Sequence, residues 1–168
     1  GKAMQEAVPV GKGSMIAVLG IKIDEVMNIL KLKKEEEGVC EIANDNAEGQ
    51  VIISGNFKSV GSLQNLLKEK KIKSIQLKVS APFHCSLMKP AANVMKEKIK
   101  NITFNKPLHK IVNNVTANSE ENVERIKELL IEQIFSTVKW RESIINISDS
   151  GVKNFIEIGP GKVLTGMV

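Results

Sequence analysis

The segment 80–90 holds the residues of this chain that are best suited to chemistry. It contains His84, one of two histidines in the sequence. Histidine changes charge near neutral pH and can therefore take up and release protons as a general base or acid. The segment lies where an apolar, strand-like run gives way to a helical pattern, and loops at strand ends often carry catalytic groups because the scaffold holds them in place. From the residues alone, His84 is either such a group or a structural histidine in a polar turn.

Strand and helix patterns alternate before His84. Apolar residues at 23, 26, 27 and 30 have the i, i+3, i+4, i+7 spacing of an amphipathic helix, and Asn56 is placed to cap a second helix. Asn44–Gly49 is typical of a turn, and Lys33–Gly38 is predicted to be a charged, exposed loop. The predicted strands are Ser14–Leu19, Cys40–Ala43, Gln50–Gly55 and Ile72–Val79. The resulting β-α-β-β-α-β order is that of a ferredoxin-like unit.

Helices and short apolar strands also alternate after His84. One helix is predicted from the apolar residues between Leu87 and Ile99, a second begins at Asn118 or Ser119, and a third begins at Trp140. The predicted strands are Lys110–Val115 and Phe155–Ile158. This alternation predicts an α/β fold with a parallel sheet.

The composition indicates a soluble globular chain from a reducing, cytoplasmic compartment. Hydrophobic residues make up 42% and charged residues 26%, and no apolar run is long enough for a membrane span. The two cysteines, Cys40 and Cys85, are far apart and match no metal-ligand spacing, so we expect neither a disulfide framework nor a metal site.

The net charge of +5 and the lysines between Lys68 and Lys78 favour either a solvated surface or an acidic or phosphate-bearing partner. Nucleic acid is disfavoured because there is no tyrosine and few aromatic residues could stack on bases.

Six blocks of the sequence resemble, in order, successive blocks of the malonyl-CoA:acyl-carrier-protein transacylases. The blocks are Gly1–Pro9, Gly13–Met15, Gln50–Gly55, Pro82–Ala91, Trp140 and Glu157–Gly166. They correspond to the C-terminal portion of that family. The resemblance implies an α/β-hydrolase-like acyltransferase domain with an inserted ferredoxin-like subdomain, in agreement with the order predicted from the residues. We expect 1–10 and 80–168 to form part of the large subdomain and 11–79 to form the small one.

The resemblance implies ping-pong acyl transfer in fatty-acid biosynthesis. A serine in a G-x-S-x-G elbow attacks malonyl-CoA, and the acyl-serine then passes the malonyl group to the phosphopantetheine thiol of acyl carrier protein. His84 matches the base that activates this serine. Malonyl-CoA is then a substrate and acyl carrier protein a partner, and no permanently bound cofactor is expected.

Gln133 is a polar residue on the same helical stripe as Ile126 and Leu130, so it must find a hydrogen-bond partner. It matches the family residue whose backbone carbonyl orients the catalytic histidine. Such a bond fixes one ring nitrogen and leaves the other free to accept a proton. The alternative is a helix-end glutamine that bonds to water or to a neighbouring loop.

Five further residues match positions near the acyl site of the family. Asn44 and Asn46 match asparagines there, although asparagine also forms turns readily. Met4, Met15 and Phe83 match pocket-lining residues, with ordinary core packing as the alternative. Phenylalanine before the histidine accompanies malonyl preference in the wider family, because its ring leaves no room for an α-methyl branch.

The motif of the nucleophile elbow is missing from this sequence, since no G-x-S-x-G occurs in its 168 residues. By the resemblance, the nucleophilic serine and the arginine that pairs with the malonyl carboxylate would stand before Gly1. We therefore expect this polypeptide to be inactive alone, with apolar sheet faces left uncovered. The alternative function is a noncatalytic, basic ferredoxin-like module that binds an acidic carrier protein or RNA. The sequence does not predict an oligomeric state.

Overall fold

The computed structural model describes residues 2–32 and 38–168, so most of the charged loop predicted at Lys33–Gly38 lies outside the described residues. The elements before His84 are α1 (Lys2–Ala7), β1 (Gly13–Leu19), α2 (Ile23–Lys31), β2 (Cys40–Ala47), β3 (Gln50–Asn56), α3 (Phe57–Glu69) and β4 (Lys73–Gln76). Those after it are a 3₁₀ turn (Ser86–Met88), α4 (Lys89–Lys100), β5 (Ile111–Val112), β6 (Ser119–Glu120), α5 (Val123–Glu132), α6 (Trp140–Asp149) and a second 3₁₀ turn (Thr165–Met167).

The strands β1 to β4 form one antiparallel sheet in the order β2-β3-β1-β4. Successive side chains of a strand point to opposite faces, so each face has its own apolar set. One face packs against α2 and α3 in a core of Ile16, Val18, Val26, Ile29, Val51, Ile53, Val60, Leu63 and Leu67. The other face carries a smaller cluster of Met15, Ala17, Ala43 and Ile52. Phe83 packs on this second cluster and so brings the His84 segment onto the sheet.

Helix α3 ends in a Schellman motif. The Ile72 N–H donates to the Leu67 carbonyl at 2.8 Å, and the Lys71 N–H donates to the Lys68 carbonyl at 3.0 Å. Lys71 takes the left-handed conformation that this motif requires, with φ +59°. The motif reverses the chain into β4 and seats Ile72 against the core that contains Leu67.

Several predicted boundaries before His84 are wrong. β2 continues through Ala47, so Asn44 and Asn46 lie in a strand and not in a loop. Asn44 pairs with Ile52 of β3, and Asn46 lies at a register shift of the same pairing. The pairing of the strand outweighs the turn preference of asparagine. Asn56 stands before α3, but its side-chain oxygen accepts from the Val39 N–H at 2.7 Å and makes no cap bond. β4 is also shorter than predicted.

The predicted parallel sheet is not formed by the described residues. Their second sheet is an antiparallel pair, in which Ile111–Val112 faces Ser119–Glu120, and α5 begins only at Val123 with Asn122 as its cap. Phe155–Ile158 is not a strand, and Ile156 and Ile158 are 84% and 94% exposed. An apolar run becomes a buried strand only beside a partner, and this one pairs with no other strand in the part of the chain described here.

The edge of β2 that faces away from β3 is covered by residues 137–141. Val138 forms a single parallel bridge with Asn44, through Asp45 N–H to the Val138 carbonyl at 2.9 Å and Val138 N–H to the Ala43 carbonyl at 2.8 Å. The Thr137 hydroxyl donates to the Ile42 carbonyl at 2.6 Å. The sheet is therefore joined directly to the segment between α5 and α6. Across the residues that the structure describes, no helix combines the length and apolarity needed to cross a membrane.

Candidate active site around His84

The backbone on both sides of His84 is fixed by close packing. Gly13, at the start of β1, lies so near Pro82 that a Cβ on it would be 2.3 Å from the ring carbons Cγ and Cδ. Cys85 is fully buried, and its thiol donates to the Pro82 carbonyl at 3.2 Å. Burial raises the pKa of the Cys85 thiol, so it remains protonated and serves as a packing group.

Ser86, which follows, is held by an acidic side chain from β2. Glu41 Oε2 accepts from the Ser86 N–H at 2.8 Å, and Glu41 Oε1 accepts from the Ser86 hydroxyl at 2.6 Å. Between these anchors His84 adopts a left-handed backbone with φ +57°. This region is sparsely used by residues other than glycine, although histidine, asparagine and aspartate enter it more often than most.

The His84 ring bonds to the end of α5. Ile126 and Leu129 bury one face of this helix, and Gln133 is its C-cap residue. Carbonyls in the last turn of a helix have no partner within the helix. The Gln133 carbonyl accepts from His84 Nδ1 at 2.8 Å. Because a carbonyl can only accept, Nδ1 carries the proton and the lone pair lies on Nε2.

Burial lowers the pKa of His84, and the backbone carbonyls of Gln133 and Ser136 oppose this by favouring the protonated ring. The lowered pKa keeps the ring neutral at physiological pH. A neutral, half-buried imidazole whose Nδ1 proton is held by a carbonyl carries its lone pair on Nε2, which is the form required of a general base.

The structure places three of the other predicted site residues in apolar clusters, and Phe83, the residue before His84, packs on both of these clusters. Phe83 packs on the cluster of Met15 and also on a third cluster, around Val8, Ala81 and Met88, to which Met4 contributes from α1. Met4 and Gln133 further line an apolar cavity of about 360 Å³ between α1, α4 and α5. Met4, Phe83, His84 and Gln133 are thus gathered in one region.

Asn44 and Asn46 are placed differently. Both are half-buried on β2, where Asn44 pairs with Ile52 and with Val138. Among the described residues, no hydrogen bond joins either asparagine to His84.

Sequence reasoning missed Glu41 and Arg141. Arg141, in the first turn of α6, donates to both carboxylate oxygens of Asp45, at 2.8 to 3.2 Å. Asp45 is buried, and the ion pair fastens α6 to β2 beside the bridge at Val138. No local pattern signals either contact, because the partners are 45 and 96 positions apart in sequence. Within residues 2–32 and 38–168, no group of three or more His, Cys, Asp or Glu is arranged to hold a metal ion.

Comparison with known proteins identifies relatives over the whole chain. The malonyl CoA-acyl carrier protein transacylase of Bacillus subtilis is 43% identical over 169 residues, which covers all of this chain and 53% of that protein. The crystal structure of an acyl-carrier-protein-S-malonyltransferase from Bartonella henselae is 44% identical with a TM-score of 0.93, covering 99% of this chain and 53% of that one. A structure described as a type II PKS acyl-carrier protein in complex with its malonyl-transacylase is 36% identical with a TM-score of 0.93, covering 99% and 54%. No family model matches the chain.

The chain spans about half the length of the curated relatives it matches. The resemblance to malonyl-CoA:acyl-carrier-protein transacylases is confirmed, and the coverage is consistent with a C-terminal portion of such a protein. The mixed α/β content and the match to acyltransferase structures confirm the broad fold class.

Proposed function

We propose that this chain supplies the histidine base of a malonyl-CoA:acyl-carrier-protein transacylase that acts in fatty-acid biosynthesis. The observation that carries the proposal is the 2.8 Å bond from His84 Nδ1 to the Gln133 carbonyl. It fixes the tautomer in which Nε2 can accept a proton, and burial keeps the ring neutral. Homologues and similar structures named as transacylases support the same reaction.

In the proposed mechanism His84 moves one proton in each half-reaction. Its Nε2 takes the proton of a serine hydroxyl as the serine oxygen attacks the thioester carbonyl carbon of malonyl-CoA. The tetrahedral intermediate collapses, the carbon–sulfur bond breaks, and the imidazolium protonates the departing CoA thiolate. The carrier-protein thiol then gives its proton to Nε2 and attacks the acyl-serine, and the serine oxygen leaves with that proton. Gln133 holds the ring throughout.

The acyl pocket of the proposal is formed by Met4, Met15, Phe83, Asn44 and Asn46. Phe83 supports a preference for malonyl over methylmalonyl groups, because its ring is already packed on two apolar clusters and cannot easily move aside for a methyl branch. A pocket discriminates one methyl by about 1–3 kcal/mol.

The proposed domain organisation assigns 11–79 to a ferredoxin-like small subdomain and 1–10 with 80–168 to part of an α/β-hydrolase-like large one. The β1-α2-β2-β3-α3-β4 order and the antiparallel sheet support the first assignment. The bridge at Val138 and the Asp45–Arg141 pair are then contacts between the two subdomains.

The proposed partner is acyl carrier protein in the cytoplasm, with no membrane or nucleic acid involved and malonyl-CoA as substrate rather than bound cofactor. Lys68, Lys71 and Lys73 line one shallow depression between α3 and β4. Such a basic surface attracts an acidic partner and accelerates its association.

A malonyl-transfer assay on the natural gene product that contains residues 1–168 tests this function. We expect transfer from malonyl-CoA to carrier protein, and a loss of about 10²-fold or more in His84→Asn, which deletes the base but tolerates the left-handed backbone. His109→Asn is the matched control at an exposed histidine. Undiminished transfer by His84→Asn would overturn the proposal.

The 168-residue polypeptide by itself is proposed to be inactive, because it contains no G-x-S-x-G serine and its partner nucleophile must come from elsewhere. Turnover by this polypeptide well above background contradicts that part of the proposal. The lysine-lined depression also keeps a second candidate open, a noncatalytic module that binds an acidic carrier protein or RNA. Salt-sensitive binding in a gene product without acyl transfer would favour it.

A further inference from the structure

Glu41 connects the sheet to the His84 segment by two hydrogen bonds to one residue. Its carboxylate accepts from both the backbone N–H and the hydroxyl of Ser86, at 2.8 and 2.6 Å, and both side chains are half-buried. Bonds to an ionised acceptor are about twice as strong as bonds between neutral groups. Two such bonds to one residue fix both its position and its orientation.

The support for Glu41 is rigid. In the sheet register Glu41 lies opposite Ser54 of β3, and Ser54 lies opposite Met15 of β1. Ser54 is fully buried and Met15 nearly so. The carboxylate is therefore carried by the β2 strand of a three-strand ladder and not by a loop.

Ser86 is the residue through which Glu41 restrains the backbone of His84, two positions earlier. It begins the 3₁₀ turn that leads into α4, and the first N–H groups of such a helical segment have no partner inside it. His84, two residues earlier, has φ +57°. A left-handed conformation is unfavourable for a residue with a Cβ and persists where the surroundings impose it.

The other contacts around His84 do not substitute for the bonds between Glu41 and Ser86. Gly13 confines Pro82 before the histidine, and Gln133 contacts the ring itself. Cys85, between His84 and Ser86, is held through its thiol. Without a hold on Ser86, His84 can return to a common backbone region and turn its ring away from the Gln133 carbonyl.

We propose that Glu41 is a positioning residue for His84, acting through Ser86. The inference rests on the proposed function for its meaning in catalysis, but its structural content is independent of acyl transfer. Glu41 touches no reacting atom; it holds the backbone conformation that keeps Nδ1 bonded to the Gln133 carbonyl and the lone pair on Nε2.

Imidazole nitrogen NMR on the full chain tests the proposal without an activity assay. Residues 1–168 contribute the signals of two histidines, His84 and the exposed His109. In the unmodified chain we expect the separated Nδ1 and Nε2 signals of one neutral tautomer for His84. In Glu41→Ala we expect these signals to converge and the pKa of His84 to rise toward its ordinary value as the ring becomes hydrated.

Glu41→Gln separates geometry from charge. Its amide oxygen can accept from the Ser86 N–H while its amide nitrogen donates to the hydroxyl, so we expect the tautomer of the unmodified chain to be retained. Removal of the charge alone would not raise the pKa of His84, because a lost carboxylate disfavours the protonated ring. Separated signals in Glu41→Gln and converged ones in Glu41→Ala would support positioning.

If Glu41→Ala fails to fold, Ser86→Ala tests the same proposal. It deletes only the hydroxyl bond, and we expect partial convergence of the His84 signals. Signals as well separated in Ser86→Ala as in the unmodified chain would overturn the proposal. So would separated His84 signals in a folded Glu41→Ala whose Ser86 amide resonance shows that the bond to residue 41 is lost. Where the gene product transfers malonyl groups, Glu41→Ala should lower kcat about 10²-fold with little change in KM, and Glu41→Gln should restore it.

Discussion

A methyl group on Gly13 would lie 2.3 Å from two ring carbons of Pro82. The backbone of β1 therefore contacts the segment that leads to His84 so closely that no side chain fits between them. The requirement is steric, since Gly13 is not among the described glycines with positive φ. Any larger residue must push Pro82, and with it the chain leading to His84, away from the sheet.

Gly13→Ala should therefore destabilise the fold by about 1–3 kcal/mol, the usual range for overpacking. Gly61→Ala is the matched control, because a Cβ there meets no atom within 4 Å. Gly61 lies inside α3, where alanine should stabilise by up to about 1 kcal/mol. Urea unfolding of the two variants measures both effects, and equal effects would contradict the steric explanation.

The stability of the chain should depend on pH through His84. Burial lowers the pKa of this residue in the fold, whereas the unfolded chain has the ordinary value of about 6.5. Between these values the unfolded state binds a proton that the folded state does not. Above about pH 6.5 the ring is neutral in both states, and the folded chain has its full stability. As the pH falls from 6.5 through the lowered pKa, the unfolded state gains a proton and the free energy of unfolding decreases.

Urea unfolding at a series of pH values from 7.5 to 5 measures this contribution. As the pH is lowered, we expect the free energy of unfolding to decrease less steeply in His84→Asn than in the unmodified chain. His109→Asn controls for the loss of an exposed imidazole. Parallel curves for the unmodified chain and His84→Asn would show that the folded state does not disfavour the imidazolium.

The two partners of the Asp45–Arg141 ion pair should respond unequally to truncation. The Asp45 side chain is 8% exposed and that of Arg141 is 38% exposed. Arg141→Ala leaves a buried carboxylate unpaired and should cost about 2–3 kcal/mol, below the full range for buried pairs because water screens the arginine. Asp45→Ala leaves a cation that water can reach and should cost about 1 kcal/mol less.

Arg141→Lys tests the geometry of the same pair. Lysine retains the charge but cannot bond to both oxygens through a planar fork, so it should recover only part of the stability lost in Arg141→Ala. Chemical denaturation of the three variants ranks them. A larger loss in Asp45→Ala than in Arg141→Ala would contradict the assigned burial.

Lys71→Gly should stabilise the chain by about 1 kcal/mol, because Lys71 has φ +59° and glycine adopts this conformation without a Cβ penalty. Lys70→Gly is the neighbouring control. Lys70 has φ −79°, so glycine there only adds freedom to the unfolded chain and should destabilise. In thermal unfolding we expect Tm to rise in Lys71→Gly and to fall in Lys70→Gly. A decrease in Tm for Lys71→Gly would contradict the assigned Schellman motif.

Much of the fold before His84 could be predicted because its signals are local. The apolar spacing of Ile23, Val26 and Leu30 predicted α2, and the apolar runs of β1 and β3 predicted the central strands. The extent of β2 could not be predicted. Asparagines favour turns by themselves, and only pairing with Ile52 and Val138 holds Asn44 in a strand.

The contact that holds the His84 ring could be predicted, but the residues that support the His84 segment could not. The family resemblance predicted a bond between His84 and the Gln133 carbonyl, and the structure contains that bond. Their part in catalysis stays a prediction. Glu41 has no such signal, since a glutamate in a short strand is ordinary and its partner Ser86 is distant in sequence. Phe155–Ile158 shows the reverse error, because a strong strand pattern cannot form a strand without a neighbour.

The two ends of the four-stranded sheet face different surroundings. At one end Val138 occupies the border of β2, while at the other β4 has no further strand beside it in the part of the chain described here. Open borders of this kind recruit strands from other molecules and begin aggregation. Ile75 on β4 is 46% exposed, but Lys73 opens the strand and Lys78 follows it, and like charges repel a second copy that approaches in register. These lysines therefore act as gatekeepers for colloidal stability as well as contributing to the net charge.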